Sequence, residues 1–148
     1  MTNTALITGA SGGIGEELAR IHAEKGGDLV LVARSKDKLE ALASELRDKH
    51  KVQVAVIAED LTQADSAARV FEQTEAQGLQ IDVLINNAGF GGHGKFHERE
   101  LVADQAMMQL NMVTLTNLTH LHLQGMVARN RGKILNVSST ASFMPGPL

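Results

Sequence analysis

Residues 8–15 read Thr-Gly-Ala-Ser-Gly-Gly-Ile-Gly, and they join a short apolar run at residues 4–8 to an amphipathic stretch that begins at residue 13. Glycine lets the backbone turn tightly and lets a pyrophosphate approach main-chain N–H groups. The N-terminus of a following helix supplies further unpaired N–H donors and the positive end of a dipole. Because this loop lies between a predicted strand and a predicted helix, it indicates a dinucleotide-binding site.

Two glycine spacings fit this loop. One uses the second glycine of the Gly-Gly pair and matches Thr-Gly-x-x-x-Gly-x-Gly, and the other uses the first and matches Gly-x-x-Gly-x-x-Gly. The loop alone leaves both open. The residues that we expect to contact the cofactor here are Gly9, Ser11, Gly13, Ile14 and Gly15.

Short apolar runs alternate with amphipathic stretches along the rest of the chain. We predict strands at residues 4–8, 29–33, 52–58, 81–86 and 133–137, and helices at residues 13–25, 36–49, from 62, and about 101–127. Strands this apolar, separated by helices, form a parallel sheet covered on both faces. Right-handed crossovers favour the strand order 3-2-1-4-5. The sequence therefore predicts a single α/β domain over residues 1–148, a Rossmann-like doubly wound parallel sheet that is incomplete at its C-terminal edge.

Helical periodicity predicts which face of each helix is buried. A capping-box-like stretch at residues 62–65 is predicted to open the third helix. The predicted buried faces are Ile14, Leu18 and Ile21 in the first helix; Leu39, Leu42, Ala43 and Leu46 in the second; Ala67, Val70 and Phe71 in the third; and, in the long fourth helix, a stripe of Met107, Leu110, Leu118 and Leu121 and a second stripe of Met108, Met112 and Leu115.

Composition excludes several classes of function. The 148 residues carry a net charge of −3, so no basic field is available for nucleic acid or an anionic membrane. The absence of Cys excludes disulfides, thiolate chemistry and Cys-based zinc sites. Neither a signal peptide nor an apolar segment long enough to span a bilayer is present, which predicts a cytoplasmic protein.

The histidines do not predict a metal site. His93 and His97 flank a Gly-rich loop, and His120 and His122 lie on different faces of the long helix. A metal site needs several convergent ligands, so none is expected. We interpret the loop at residues 90–99 as part of a substrate or cofactor rim.

The end of the second predicted strand indicates which nicotinamide cofactor is bound. NAD-binding units carry an Asp or Glu there, whereas a nearby Arg accommodates the 2′-phosphate of NADP. Ala33 offers no carboxylate, Arg34 offers a planar fork suited to phosphate, and Ser35 adds a hydroxyl. The alternative is that Arg34 is a solvated loop charge. We interpret this pattern as favouring NADP over NAD.

Asp60 and Leu61 follow the third predicted strand. A carboxylate at this place accepts a hydrogen bond from the adenine amino group, or it caps a turn, and the spacing fits both readings equally. We include both residues among the predicted cofactor contacts.

Residues 86–89 read Asn-Asn-Ala-Gly and come straight after the fourth predicted strand. Together with residues 8–15 they make the chain resemble the short-chain dehydrogenases/reductases, over essentially all 148 residues, and their single-domain branch more than their epimerase branch. The resemblance implies that Asn87, Ala88 and Gly89 face the cofactor and that Asn86 is mainly structural. It also favours the adenine contact for Asp60.

The resemblance also implies two catalytic residues. Ser139 follows the fifth predicted strand and matches the family's catalytic Ser, whose hydroxyl orients a substrate carbonyl or alcohol. Asn111 matches the helix Asn that holds a proton-relay water. From the residues alone, the Ser pair at 138–139 would read as a turn and Asn111 as a polar group on a helix.

One feature of the family is missing. Its proton donor is the Tyr of a Tyr-x-x-x-Lys motif that follows the Ser, and this chain contains no Tyr. We therefore expect the 148 residues to be an inactive fragment of a longer, homo-oligomeric, NADP-dependent reductase of small carbonyl or alcohol substrates. A complete, non-catalytic dinucleotide-binding module is the alternative, and an epimerase-like relative is a third reading that the Asn-Asn-Ala-Gly motif disfavours.

Overall fold

Five parallel strands form one sheet in the computed structural model, which describes residues 3–144. The strands are β1 Ala5–Thr8, β2 Leu29–Ala33, β3 Val54–Ala58, β4 Val83–Asn86 and β5 Lys133–Asn136. Their order in the sheet is β3-β2-β1-β4-β5, which confirms the predicted order. β3 and β4 begin two residues later than predicted.

Helices cover both faces of this sheet, as predicted for a doubly wound fold. They are α1 Gly13–Glu24, α2 Lys36–His50, α3 Ser66–Ala76, α4 Leu101–Met108, a π-helical segment Gln109–Thr114 and α5 Leu115–Ala128, with short 3₁₀ turns at Phe96–Glu98 and Thr140–Ser142. One core cluster joins the sheet to α1 and α2, and a second joins it to α3 and α5. β1 and β2 are buried along their whole length, because both of their faces are covered.

The predicted buried face of α1 is wrong at Ile14 and Ile21, whereas Leu18 packs against the first core cluster. Ile14 and Ile21 are 61% and 47% exposed. The buried residues of this helix are Gly15, Ala19 and Ala23, which recur every four residues. Small side chains on this stripe let the helix backbone lie close to the sheet, and the larger residues therefore face solvent.

The predicted start of the third helix is also wrong. The Asp60 Oδ1 atom accepts hydrogen bonds from the Thr62 backbone N–H at 3.1 Å and from the Thr62 hydroxyl at 2.8 Å. Thr62 is therefore held in a turn, and α3 begins at Ser66. The predicted buried face is confirmed at Ala67 and Val70.

The long helix predicted at residues 101–127 is divided by the π-helical segment into α4 and α5. Its first predicted stripe packs toward the sheet, with Leu118 buried and Leu110 and Leu121 packed against the same core cluster. Met108 and Met112 of the second stripe are exposed. Within residues 3–144, no helix combines the length and the apolar character needed to cross a membrane.

His122 is a buried polar residue in the α3–α5 layer. Its side chain lies edge-on to the Phe71 ring, with the ring centroids 5.2 Å apart, and it is 6% exposed. Its Nε2 atom has no hydrogen-bond partner in the described part of the chain. Burial lowers the pKa of His122 to about 4, because the charged imidazolium loses its hydration.

This lowered pKa predicts a specific acid sensitivity. In the unfolded chain the pKa of His122 returns to about 6.5, so protonation favours unfolding as the pH falls from about 6.5 to about 4. We expect His122 to account for a loss of about 3 kcal/mol in the free energy of unfolding between pH 7 and pH 4. Urea denaturation at several pH values measures this loss. The His122→Leu variant should lose less stability on acidification than the wild type.

The exposed His120 supplies the control for this measurement. His120→Leu should keep the full acid sensitivity of the wild type, because it leaves the buried His122 in place. Equal pH dependence of the two variants would contradict the assignment of this stability loss to His122.

Candidate cofactor site

The predicted phosphate loop leaves the carboxyl end of β1 and turns directly into α1. The Gly9 backbone N–H donates to the Val32 carbonyl of β2 at 2.8 Å, which ties the loop to the neighbouring strand. The residue before α1, Gly12, makes no side-chain capping hydrogen bond. No side chain of the capping residue therefore covers the N-terminus of α1, and helix N-termini are places where anions bind.

The geometry of the loop distinguishes the two glycine spacings. Gly9 and Gly13 have φ values of +68° and +57°, in the left-handed region that favours glycine. A Cβ atom on Gly15 would lie 2.4 Å from the Gly9 carbonyl oxygen and 2.5 Å from Asn87 Nδ2. Gly12 has an extended backbone, and a Cβ atom there would meet one carboxylate oxygen at 4.0 Å. Glycine is therefore required at positions 9 and 15 and favoured at position 13, which favours the Thr-Gly-x-x-x-Gly-x-Gly spacing.

A cleft of about 230 Å³ opens at the carboxyl ends of β1 to β4. The sheet order reverses between β1 and β4, and ligands of open α/β sheets bind at such a switch point. Eight predicted cofactor contacts line the cleft: Gly9, Ser11, Arg34, Ser35, Asp60, Leu61, Ala88 and Gly89.

The other predicted cofactor contacts, Gly13, Ile14, Gly15 and Asn87, do not line this cleft. Asn87 Nδ2 donates to the Thr8 carbonyl at 3.0 Å, and the Asn87 backbone N–H donates to the Thr8 hydroxyl at 3.0 Å. These bonds join the end of β4 to the phosphate loop. Asn87 thus holds the loop in place, and its direct contact with a cofactor stays a prediction.

The carboxylate of Asp60 is both a turn cap and part of the cleft. Hydrogen bonds from the Thr62 backbone and hydroxyl hold its pKa below the usual range, and the nearby charge of Arg34 lowers it further. Asp60 is therefore anionic at neutral pH. The turn-capping reading of this residue is confirmed, and the adenine contact stays a prediction.

Phe90, the first residue of the loop interpreted as a rim of the site, lines the cleft. Sequence reasoning missed four residues of the cleft wall, which are Ala33, Glu59, Thr62 and Leu110. Glu59 directly precedes the predicted contact Asp60 at a strand end, so its position in the sequence could have identified it. Leu110 comes from the π-helical segment, and no local signal marks it.

Asn111, a predicted catalytic residue, also lies in the π-helical segment. Its Nδ2 atom donates to the Phe90 carbonyl at 2.8 Å, and its Oδ1 atom accepts from the Phe90 backbone N–H at 3.2 Å. The Asn111 amide thus fixes the backbone of the loop that follows Gly89. Its role toward a relay water stays a prediction.

Ser139, the other predicted catalytic residue, lies beyond the end of β5 and is exposed. Its Oγ atom accepts a hydrogen bond from the Ala141 backbone N–H at 3.1 Å and caps the turn Thr140–Ser142. The turn that the residue pattern alone indicated is therefore present, and the catalytic role stays a prediction.

Asn86 links three elements of the fold. Its Nδ2 atom donates to Asn136 Oδ1 of β5 at 2.9 Å and to Thr119 Oγ1 of α5 at 3.0 Å. These bonds agree with the structural role expected of this residue. Across residues 3–144, no three His, Asp or Glu side chains form a group that could hold a metal ion.

Comparisons with known proteins identify similar chains. A family model described as short chain dehydrogenase matches residues 3–148. The very-long-chain 3-oxoacyl-CoA reductase of Homo sapiens is 36% identical over 97% of this chain and 47% of its own length. The chain therefore spans about half the length of the curated relatives that it matches.

Solved structures give the same result. A bulky-bulky ketone specific alcohol dehydrogenase from Comamonas testosteroni is 38% identical, with a TM-score of 0.90 over 97% of this chain and 57% of that one. A short-chain dehydrogenase from Sphingobium yanoikuyae in complex with NADPH is 39% identical, with a TM-score of 0.90 over 97% of this chain and 56% of that one.

Proposed function

Since the chain belongs to the short-chain dehydrogenase family, we propose that it binds NADP and that the protein containing it transfers hydride between NADPH and a ketone or aldehyde, or from an alcohol in the reverse direction. The observation that carries the proposal is the cleft at the carboxyl ends of the strands. Arg34 and Ser35 line it at the end of β2, together with the phosphate loop at the end of β1.

The relatives support both parts of this proposal. The similar structure from Sphingobium yanoikuyae is a complex with NADPH. The human relative is named a 3-oxoacyl-CoA reductase, and the similar dehydrogenase from Comamonas testosteroni is described as ketone specific. A carbonyl substrate is therefore the class that we propose. A cytoplasmic location and a homo-oligomeric full-length protein stay predictions.

Different residues of the chain would bind the cofactor and the substrate. The phosphate loop would bind the pyrophosphate, and Arg34 with Ser35 would bind the 2′-phosphate. The bound cofactor supplies the hydride, and the protein supplies binding, orientation and proton transfer. Ser139 would orient the substrate oxygen, and Asn111 would hold the loop after Gly89 in position.

Charge reversal at Arg34 tests the cofactor assignment. We expect Arg34→Asp to weaken NADPH binding by about a hundredfold, because a carboxylate would replace the guanidinium that faces the 2′-phosphate. NADH binding should change by less than about threefold. Fluorescence titration of both cofactors measures the two dissociation constants.

Lys36→Asp is the matched control for this charge reversal. Lys36 is exposed on the first turn of α2 and does not line the cleft. Lys36→Asp should change the affinities for NADPH and NADH little and to the same extent. Equal losses of NADPH and NADH affinity in Arg34→Asp would remove Arg34 from the 2′-phosphate site.

A second candidate function is a non-catalytic dinucleotide-binding module. The absence of Tyr from all 148 residues favours it. The intact mass of the protein isolated from its own cells separates the two candidates. A mass well above that of the 148-residue chain supports the reductase, and a mass equal to it supports the binding module.

A further inference from the structure

Three charged residues line the cleft that we propose receives the 2′-phosphate. Arg34 comes from the end of β2, and the consecutive carboxylates Glu59 and Asp60 come from the end of β3. A backbone hydrogen bond from Glu59 N–H to the Ala33 carbonyl, at 3.0 Å, holds these two strand ends together. A phosphate that enters beside Arg34 therefore meets one cation and two carboxylates.

Glu59 is paired with a residue outside the cleft. Arg69, on α3, donates from Nη2 to Glu59 Oε1 at 2.7 Å and from Nε to Glu59 Oε2 at 3.1 Å. The Asp60 backbone N–H adds a third donor to the Glu59 carboxylate at 3.1 Å. The Glu59 side chain is only 11% exposed, so the guanidinium takes the place of most of its water.

We propose that Arg69 is a positioning residue for cofactor selection, which neutralises Glu59 so that the cleft accepts the 2′-phosphate at Arg34. This inference rests on the proposed NADP function. Without Arg69, the Glu59 carboxylate would repel the phosphate and compete with it for the Arg34 guanidinium. Because the Glu59 side chain is only 11% exposed, solvent would screen its unpaired charge poorly.

The neighbouring carboxylate is held differently. Asp60 is fixed by neutral donors of Thr62, which stabilise its negative charge without cancelling it. Of the two carboxylates, Glu59 is therefore the one that accepts hydrogen bonds from an Arg side chain. Arg69 also pairs with the exposed Asp65, an interaction on the solvent side of α3.

The test compares two nucleotides that differ only in the 2′-phosphate, adenosine 2′,5′-bisphosphate and 5′-AMP. Isothermal titration of the 148-residue chain gives the ratio of their dissociation constants. We expect Arg69→Gln to lower the preference for the bisphosphate by about tenfold. The double variant Glu59→Gln with Arg69→Gln should restore it, because it removes both charges. Arg69→Lys should keep most of the preference, because it keeps the charge.

Arg20 supplies a matched control. It donates to Glu45 with the same fork, from Nη2 at 2.8 Å and Nε at 3.1 Å, and it does not line this cleft. Arg20→Gln should leave the ratio unchanged. An unchanged ratio in Arg69→Gln, or a double variant as impaired as Arg69→Gln, would overturn the inference.

A third variant keeps the inference testable if Arg69→Gln does not fold. Glu59→Gln alone should raise the preference for the bisphosphate above that of the wild type, and a lower or equal preference would overturn the inference. Failure of the underlying function has a different signature. A wild-type chain that shows no preference for the 2′-phosphate contradicts the NADP proposal itself, whereas a wild-type preference that is unaffected by Arg69→Gln contradicts only the role of Arg69.

Discussion

Alanine at Gly15 is expected to weaken NADPH binding by at least about a hundredfold and to lower the free energy of unfolding by about 3 kcal/mol or more. The added Cβ would lie 2.4 Å from the Gly9 carbonyl oxygen and 2.5 Å from Asn87 Nδ2. Neither neighbour can easily move. Gly9 is hydrogen-bonded to β2, and Asn87 is hydrogen-bonded to Thr8 at the end of β1. The first turn of α1 would have to move away from the loop, and the phosphate site depends on their close contact.

Gly12→Ala, three residues away, serves as the control. Its backbone is extended at φ 170°, and a Cβ atom there has open space out to 4.0 Å. Because it precedes α1 as the capping residue, we expect a loss of less than about 1 kcal/mol in stability. Urea denaturation of both variants, with NADPH titration of Gly15→Ala, measures the difference. Similar losses of stability in the two variants would show that Gly15 is not held by this contact.

Much of the fold follows from local patterns that the sequence displays directly. The apolar runs of β1 and β2 are long enough and apolar enough to be buried on both faces, and glycines follow them where the chain must turn. Because parallel strands place their carboxyl ends at one edge, Ser11, Arg34 and Ala88 line one cleft although they are far apart in sequence.

The errors arise where packing distance decides the outcome. Ile14 and Ile21 are larger and more apolar than Ala19 and Ala23 and so suggest a buried face, yet only small residues fit where α1 lies against the sheet. The spacing of apolar residues does not indicate the distance between the helix and the sheet.

Other features depend on partners distant in sequence or on local competition for hydrogen bonds. The hydrogen bonds of Asn111 to the Phe90 backbone span 21 residues and arise in a π-helical segment that helical spacing does not reveal. The start of α3 depends on Asp60, because its carboxylate accepts hydrogen bonds from the Thr62 N–H and hydroxyl and so holds Thr62 in a turn. The pairing of Glu59 with Arg69 joins a strand end to the following helix across this same turn.

The purified 148-residue chain is expected to bind NADPH without turnover of ketones or aldehydes. Reduction of a carbonyl needs a proton donor whose pKa suits neutral pH, and such a group contributes about 10² to 10⁴ in rate. The sequence has no Tyr to supply it. The Ser139 hydroxyl remains available only as an ordinary alcohol, and its Oγ atom already accepts from the Ala141 backbone. His122 is neutral and buried in the α3–α5 layer.

The measurement is NADPH oxidation with a panel of an aromatic ketone, an aliphatic aldehyde and a 3-oxoacyl thioester, with NADPH binding titrated in the same sample. Binding with no consumption of NADPH above the rate of a protein-free blank is the expected result, because the residues of the cofactor cleft are present whereas the sequence has no Tyr to donate the proton. Turnover of any of these substrates by the wild-type chain would contradict the prediction. If that turnover disappeared in Ser139→Ala, Ser139 would act in the reaction without a Tyr, and the chain would contain a catalytic site of a different kind.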